Sequence, residues 1–402
     1  MPRVLFFCEA VTLAHVARPV TLARALDPAR YEVVMACPDH SHAFAGAGPW
    51  NVKSLNSISS ERFLAALAAG RPVYDIETLR RYVERDLELI DEVRPDLVIG
   101  DFRLSLSVSA RVAGVPYITL TNAYWSPYAP RKHYPLPVLP MTRLLPIAVA
   151  QSLFKVVAPY AMRGHCDPIN RLRGERGLPS LGSDLRRVYT DADHTLYADF
   201  PGLFPAAELP ANHHFLGPVL WSPPTPEPPW WTSLPTDVPR VYLTMGSSGR
   251  AGVLGHVLAA LADLPVVVMA STAGASIPSA LPANARVAAY LPGIEAAARS
   301  SLVVCNGGSP TSQQALAAGV PVLGIASNMD QFMNMEAVAS AGAGLVMRCD
   351  RLRISRIRAA CVRLLNEPGF RAAAQRLSRS TDVSAGAVAA RFAGVVADVS
   401  RG

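Results

Sequence analysis

A chain of 402 residues, 50% hydrophobic and 17% charged, with a formal net charge of +7, has the length for two or three domains with sizeable cores. Its apolar balance excludes a disordered polymer, and no run of about 20 apolar residues is free of charge or proline, which argues against a membrane span. The arginines are spread without a dense basic run, which argues against a nucleic-acid module and leaves room for weak attraction to anionic ligands or membrane surfaces.

The opening segment MPRVLFFCEA has one arginine and is interrupted by Glu9, so it reads as a first buried strand, Arg3 to Cys8, rather than a signal peptide. The six cysteines, Cys8, Cys37, Cys166, Cys305, Cys349 and Cys361, are scattered without a CxxC pair. They read as buried thiols in a reducing compartment, with neither a disulfide framework nor a metal site, and the expected location is cytoplasmic. After a loop from Thr12 to Pro19, Val20 to Leu26 reads as a helix and Tyr31 to Ala36 as a second strand. A strand, a helix and a strand in so short a span make a βαβ unit and hence a parallel sheet. His15 falls in the loop at the first strand's carboxyl end, where open α/β sheets place ligand chemistry. Alone it reads more readily as a capping or satisfied loop histidine.

Residues 57–93 have a helical pattern, with charges such as Arg80, Arg81, Arg85 and Asp86 expected on a solvated face. Leu97 to Gly100 is a buried strand ending at Asp101, followed by a helix from Ser105 to Val112 and a strand from Tyr117 to Leu120. Asp101 could cap that helix or orient a base. Residues 122–165 crowd prolines with aromatics, Tyr124, Trp125 and Tyr128 among them, and then run into an apolar helix. This stretch suits either an apolar pocket lining or a surface excursion packed on itself. Asn170 to Leu178 is a polar helix end. Asp191-Ala192-Asp193 has the spelling of a metal-binding DxD but merely precedes a strand, His194 to Ala198, so it reads as a turn and no metal is expected.

Residues 222–239, SPPTPEPPWWTSLPTDVP, form a proline-rich linker. It divides an N-terminal domain, residues 1–221, from a second α/β domain, residues 240–384, leaving an apolar-striped helix from Ala385 to Val399 within the terminal segment 385–402. The second domain opens with the strand Val241 to Thr244 and the turn Gly246-Ser247-Ser248. Strands follow at Val266 to Met269 and Val287 to Ala289. The stretch from Leu302 to Met335 is the most informative in the chain. Leu302, Val303 and Val304 form a buried strand, Gly307 and Gly308 allow a tight turn with close backbone approach, and Ser309 and Pro310 open a helix that Gly319 ends. Free N–H groups and a positive dipole end therefore sit just past a strand, which is a phosphate site by construction. A second strand, Pro321 to Ile325, leads to a polar loop, Asn328-Met329-Asp330-Gln331.

That stretch resembles the donor-binding signature of the family-1 nucleotide-sugar glycosyltransferases, HGGxGTxxEALxxGVPxxxxPxxxDQ, matching in register at Gly307, Gly308, Thr311, Ala315, Leu316, Gly319, Val320, Pro321, Asp330 and Gln331. Asn306, Pro310 and Gln314 stand where the family has histidine, glycine and glutamate. AHVARPVTLARAL resembles the segment GHVxPxxxLARAL that carries the family's general base, and PDLVIGD resembles the segment whose aspartate hydrogen-bonds it. The resemblance covers nearly the whole chain and implies the GT-B fold, two Rossmann-like domains facing across a cleft, with residues 385–402 crossing back to the first.

For the site it implies His15 as base, oriented by Asp101. It implies donor contacts from Gly246, Ser247, Tyr290, Asn306, Gly307, Gly308, Ser309, Thr311, Gln314, Asp330 and Gln331, with Tyr290 against the nucleobase and Gly293 where the family writes glutamine. Acceptor contacts would come from Tyr124, Trp125 and Tyr128. The implied activity is inverting, metal-independent hexosyl transfer from a UDP- or dTDP-sugar to a hydroxyl of an aromatic, polyketide or lipid acceptor. No cofactor and no nucleic-acid partner is expected, and the chain would act as a monomer or homodimer. The substitutions at Asn306 and Gln314 keep open a non-catalytic helper of the same fold that binds sugar nucleotides. No GxGxxG follows the first strand, which argues against a dinucleotide enzyme.

Overall fold

The computed structural model describes residues 1–46, 48–205, 208–246, 251–277 and 280–400. Among them the strands form two separate parallel sheets. The first contains β1 (Arg3–Cys8), β2 (Glu32–Cys37), β3 (Asn51–Ser54), β4 (Leu97–Asp101), β5 (Tyr117–Thr121), β6 (His194–Tyr197) and β7 (His213–Phe215), in the order β3-β2-β1-β4-β5-β6-β7. The second contains β8 (Arg240–Thr244), β9 (Val267–Ser271), β10 (Ala285–Ala288), β11 (Leu302–Cys305), β12 (Val322–Ala326) and β13 (Gly344–Arg348), in the order β10-β9-β8-β11-β12-β13. This is the expected α/β architecture of two doubly wound, Rossmann-like halves.

The central strands are apolar on both faces because helices cover both sides of a parallel sheet. Val4, Leu5, Phe6, Phe7 and Cys8 of β1, for example, are all fully buried. In each sheet the chain moves outward from its first strand and then returns to that strand's other side. Connections on the two sides leave in opposite directions, so a crevice opens at the carboxyl ends of the two central strands. In the first sheet Cys8 of β1 pairs with Asp101 of β4, and in the second Thr244 of β8 pairs with Cys305 of β11. The segments expected to carry the base and the phosphate site leave these four strand ends.

Two connections join the sheets. The segment between β7 and β8, residues 216–239, has no helix or strand. The helix Ala385–Val399 returns to the first sheet, packing Val388, Phe392 and Val396 into the cluster that holds Val4 and Phe6. Arg391 Nε donates to the Leu216 carbonyl at 2.6 Å.

Three local expectations change. The helix near His15 starts earlier, at Ala14–Ala23 with Pro19 inside it, so His15 lies in its first turn rather than in a loop. The segment Met329–Ser340 is a helix, capped by Asn328 and Gln331 in a reciprocal pair, rather than a polar loop. Asp86 is fully buried rather than solvated, because Arg103, reaching back from just beyond β4, meets it at 2.8 Å and meets Glu9 at 2.7 Å. The Arg103 guanidinium also lies 3.6 Å from the centre of the Tyr82 ring. Burial pushes the Glu9 carboxyl up even against Arg103.

This buried cluster anchors the turn that carries Asp101. Arg103→Met would leave two buried carboxylates unpaired, which costs about 3–5 kcal/mol. Urea unfolding is expected to show a destabilisation of that size, and a loss below about 1 kcal/mol, the level of an exposed pair, would contradict the anchoring role.

Candidate active site

At the crevice of the first sheet, His15 Nδ1 lies 2.8 Å from Asp101 Oδ1. Arg18, one helical turn after His15, grips the same carboxylate with two N–H groups, Nε to Oδ2 at 2.9 Å and Nη2 to Oδ1 at 2.8 Å. Asp101 and Arg18 are buried. Burial acts to raise the Asp101 carboxyl, but Arg18 and His15 outweigh it and hold it below the ordinary carboxylate range. An anionic Asp101 assigns the imidazole proton to Nδ1 and leaves Nε2 as the basic nitrogen. Phe102 fixes the plane of the ring, stacking on His15 with centroids 5.0 Å apart. It does so from a left-handed backbone conformation, φ 60°, which is unusual for a bulky residue and concentrates at functional sites.

At the crevice of the second sheet, Gly246 and Gly307 turn the chain with φ of 59° and 81°. A Cβ on Gly307 would come within 2.7 Å of Met335, so this position needs glycine for space as well as for conformation. The helix Ser309–Ala317 begins here, with Gly308 at its N-cap position and Pro310 in its first turn. Ser309 is thus the first helical residue rather than the cap. Asn306 Oδ1 accepts the Gly308 N–H at 3.0 Å, and its Nδ2 faces Gly246, where a Cβ would stand 3.5 Å away. The asparagine therefore stands between the two glycine turns at the place where the resemblance has histidine. Gln314 Nε2 donates to the Trp221 carbonyl in the connecting segment. Its Oε1 lies where a Cβ on Gly293 would sit at 2.9 Å, so the glycine makes room for it. Tyr290, half exposed, fits against Gly274 in the same way.

One cavity of about 500 Å³ joins the two crevices. His15, Asp101, Gly246, Tyr290, Asn306, Gly308, Ser309, Thr311, Gln314, Asp330, Gln331, Tyr124 and Trp125 line it. Its remaining walls include Phe63, Leu139, Met141, Phe154, Val157 and Met162, an apolar lining with polar groups gathered at the strand ends, as ligand pockets are built. The residues expected on the two sides are already bonded to each other. Tyr124 Oη and Trp125 Nε1 donate to the two oxygens of Asp330, at 3.0 and 2.9 Å. Gln331 is buried and spends its Oε1 on the Ser327 and Asn328 N–H groups of its own helix start. Gly307 shapes the turn from behind the cavity wall.

Tyr128 is set apart. The chain turns outward after Ser126, and the Tyr128 ring packs edge-on to His213, centroids 5.1 Å apart. Ser247 lies outside the described residues. Asp191 and Asp193 lie at the amino end of β6, away from the strand ends that carry the site. Asp191 meets Arg111 at 3.0 Å and Arg173 at 2.6 Å, and Asp193 accepts the Tyr117 N–H at 2.8 Å.

Four residues of the site escaped the sequence reading. Arg18 occupies the place where the resembling segment writes proline, a departure that could have marked it. Phe102 follows Asp101 directly. Asn122 Oδ1 accepts from Arg18 at 2.9 Å, and its Nδ2 donates to the buried Asp199 at 3.0 Å. Asp199 also accepts from Gln313 of the second half at 2.7 Å, and burial pushes its carboxyl up to about 6. No local pattern marks either of these last two.

Two parallel-sheet halves with an imidazole–carboxylate pair facing a helix N-terminus define a GT-B glycosyltransferase. Comparison with known proteins agrees. Residues 254–389 match the family model described as "Erythromycin biosynthesis protein CIII-like, C-terminal domain". The spinosyn rhamnosyltransferase structure superposes with a TM-score of 0.71 at 19% identity, over 98% of this chain and all of that one, and so shares the fold. A PGL/p-HBAD biosynthesis rhamnosyltransferase of Mycobacterium bovis (strain BCG / Pasteur 1173P2) is 54% identical, over 94% of this chain and 83% of its own. An inactive PGL/p-HBAD biosynthesis glycosyltransferase of the same strain is 51% identical over 64% of this chain and 70% of its own. The chain belongs to this family of PGL/p-HBAD biosynthesis glycosyltransferases.

The resemblance implies that His15 serves the acceptor side. His15→Ala is expected to lower kcat by about 10²–10⁴-fold, the range for losing a general base, while nucleotide binding measured by calorimetry stays within about twofold. Wild-type kcat in the variant would contradict the assignment.

Proposed function

We propose that this enzyme transfers a deoxyhexose, with rhamnose the leading case, from a dTDP-sugar to a hydroxyl of an apolar aromatic or lipid acceptor, with inversion and without a metal. The observation that carries the reading is the shared cavity lined by both a partly exposed, oriented imidazole and the helix N-terminus at Ser309. His15 Nε2 takes the acceptor hydroxyl proton. The oxygen attacks the anomeric carbon as the bond to the nucleoside diphosphate breaks, and the diphosphate leaves with that electron pair. Its charge meets the N–H groups and dipole of the helix at Ser309 and Thr311, which do the work that a cation does in other enzymes. Asp330 and Gln331 stand where the sugar hydroxyls would lie. Their present partners, Tyr124, Trp125 and Ser327, leave them lone pairs and N–H groups to spare.

The donor base and ribose face Tyr290 and Gln314. Trp221 takes one of the two Gln314 amide N–H groups, and Oε1 is the side chain's single acceptor, which serves a deoxyribose better than a diol. The rhamnosyltransferase relative supports the choice of sugar, and the apolar cavity wall supports the choice of acceptor. The inactive relative gives the non-catalytic reading some weight. Against it stand His15 and Asp101, held here by Arg18 and Phe102 as a complete base.

The test is transfer from dTDP-rhamnose to a lipophilic phenol in excess EDTA, with calorimetric titration of dTDP and UDP alongside. Product formation in EDTA and binding of dTDP at least as tight as UDP are expected. Loss of activity restored by Mg²⁺ or Mn²⁺ would overturn metal independence, and a preference for UDP of about tenfold, some 1.4 kcal/mol, would overturn the donor.

A further inference from the structure

The helix Ile147–Glu175 forms one wall of the acceptor cavity, and its outer face carries a second feature. Along its first half Val149, Leu153, Val156 and Tyr160 follow at steps of four, three and four, and so share one face. They are 52, 47, 66 and 75% exposed. Leu144, at the end of the preceding short helix, is 84% exposed. The opposite face of the same half, Ala150, Phe154 and Ala158, is buried against Leu136. This stretch is therefore apolar on its outer face as well as its inner one, with Gln151, Ser152 and Lys155 confined to one flank, the pattern of a helix covered on both sides. Beyond Met162 the outer face becomes polar, with Asp167, Arg171 and Glu175 exposed.

We propose that this outer face docks on an anionic lipid bilayer and brings the mouth of the acceptor cavity to the membrane surface. The inference rests on the reading of the acceptor as apolar. Two observations select this occupant. The first is continuity: Val157 is 45% exposed and also lines the cavity, so the apolar patch runs without a break into the acceptor wall. The second is charge. No Asp or Glu occurs between Asp101 and Asp167, whereas Arg143, Lys155 and Arg163 beside the patch are exposed. A second copy of the chain fits less well, because a two-fold contact through this face would set its cations against each other. No helix among the described residues is long and apolar enough to cross a membrane. A helix with apolar residues outward and basic residues flanking them instead lies in the interface plane, and the lysine and arginines can reach lipid phosphates while their stems stay apolar.

The experiment is sedimentation of the full chain with vesicles of phosphatidylcholine, alone or mixed with phosphatidylglycerol. The protein is expected to pellet with the anionic vesicles and to be released by salt. The double variant Val156→Glu/Tyr160→Glu changes exposed positions that do not line the cavity. It is expected to partition at least about tenfold less, to transfer sugar to a water-soluble phenol at the wild-type rate, and to lose transfer to an acceptor embedded in vesicles. Lys155→Glu/Arg163→Glu is expected to abolish the preference for phosphatidylglycerol. A wild-type protein that stays in the supernatant, or a Val156→Glu/Tyr160→Glu variant that pellets equally, would overturn the proposal. So would a dimer in analytical ultracentrifugation that this variant dissociates. Vesicle binding without transfer to any lipophilic acceptor would support docking while overturning the acceptor reading.

Discussion

A carboxylate taken out of water must be paired or give up its charge, and the site depends on how Asp101 meets that constraint. Arg18 supplies the cation in a two-pronged, charge-assisted contact that fixes direction as well as charge. The carboxylate is thereby held anionic with Oδ1 turned to His15. Without Arg18 the buried Asp101 would be pushed toward its neutral form and could no longer stabilise an imidazolium. The remaining Arg18 donor passes the constraint onward to Asn122, which holds Asp199, which holds Gln313 on the helix of the phosphate site. One buried polar chain thus runs from the Asp101 carboxylate to the helix that begins at Ser309. Each member is bonded to the next, which polarises and stiffens the chain, while Gln313, bonded through Nε2, keeps a buried Oε1 without a partner among the described residues.

A second link crosses the cleft through Asp330, which accepts from Tyr124 and Trp125. The two halves are therefore joined at the cavity by these two hydrogen bonds. On the proposed function, a sugar hydroxyl that bonds to Asp330 would share it with both aromatics.

Much of this was legible in the sequence for reasons that can be named. Buried parallel strands write themselves as apolar runs, which is why β1, β4, β8 and β11 were found almost to the residue. The glycine turn at Gly307 and Gly308 is visible because its geometry admits little else. β3, β7 and β13 were missed, each at a sheet edge. The first, Asn51–Ser54, is a short edge strand with exposed ends, and edges carry no two-sided apolar pattern. The start of the His15 helix was misplaced because Pro19 marks a break in most contexts but sits inside the helix here. Asp86 read as solvated because its partner Arg103 comes from another element, and a buried ion pair has no local signature. The same holds for Asp199 and for the Gln314 contact to Trp221, which tertiary structure alone brings together. Tyr128 was grouped with Tyr124 and Trp125 by proximity in the chain, and one turn at Ser126 separates them.

The central claim is that an imidazole base delivers the acceptor oxygen to the anomeric carbon from the face opposite the leaving diphosphate. The most direct measurement is the anomeric configuration of the glycoside, read by NMR from the one-bond C–H coupling and compared with that of the dTDP-sugar consumed. The account predicts the opposite configuration in product and donor. A product of unchanged configuration would contradict it and require a different assignment for His15 and Asp101.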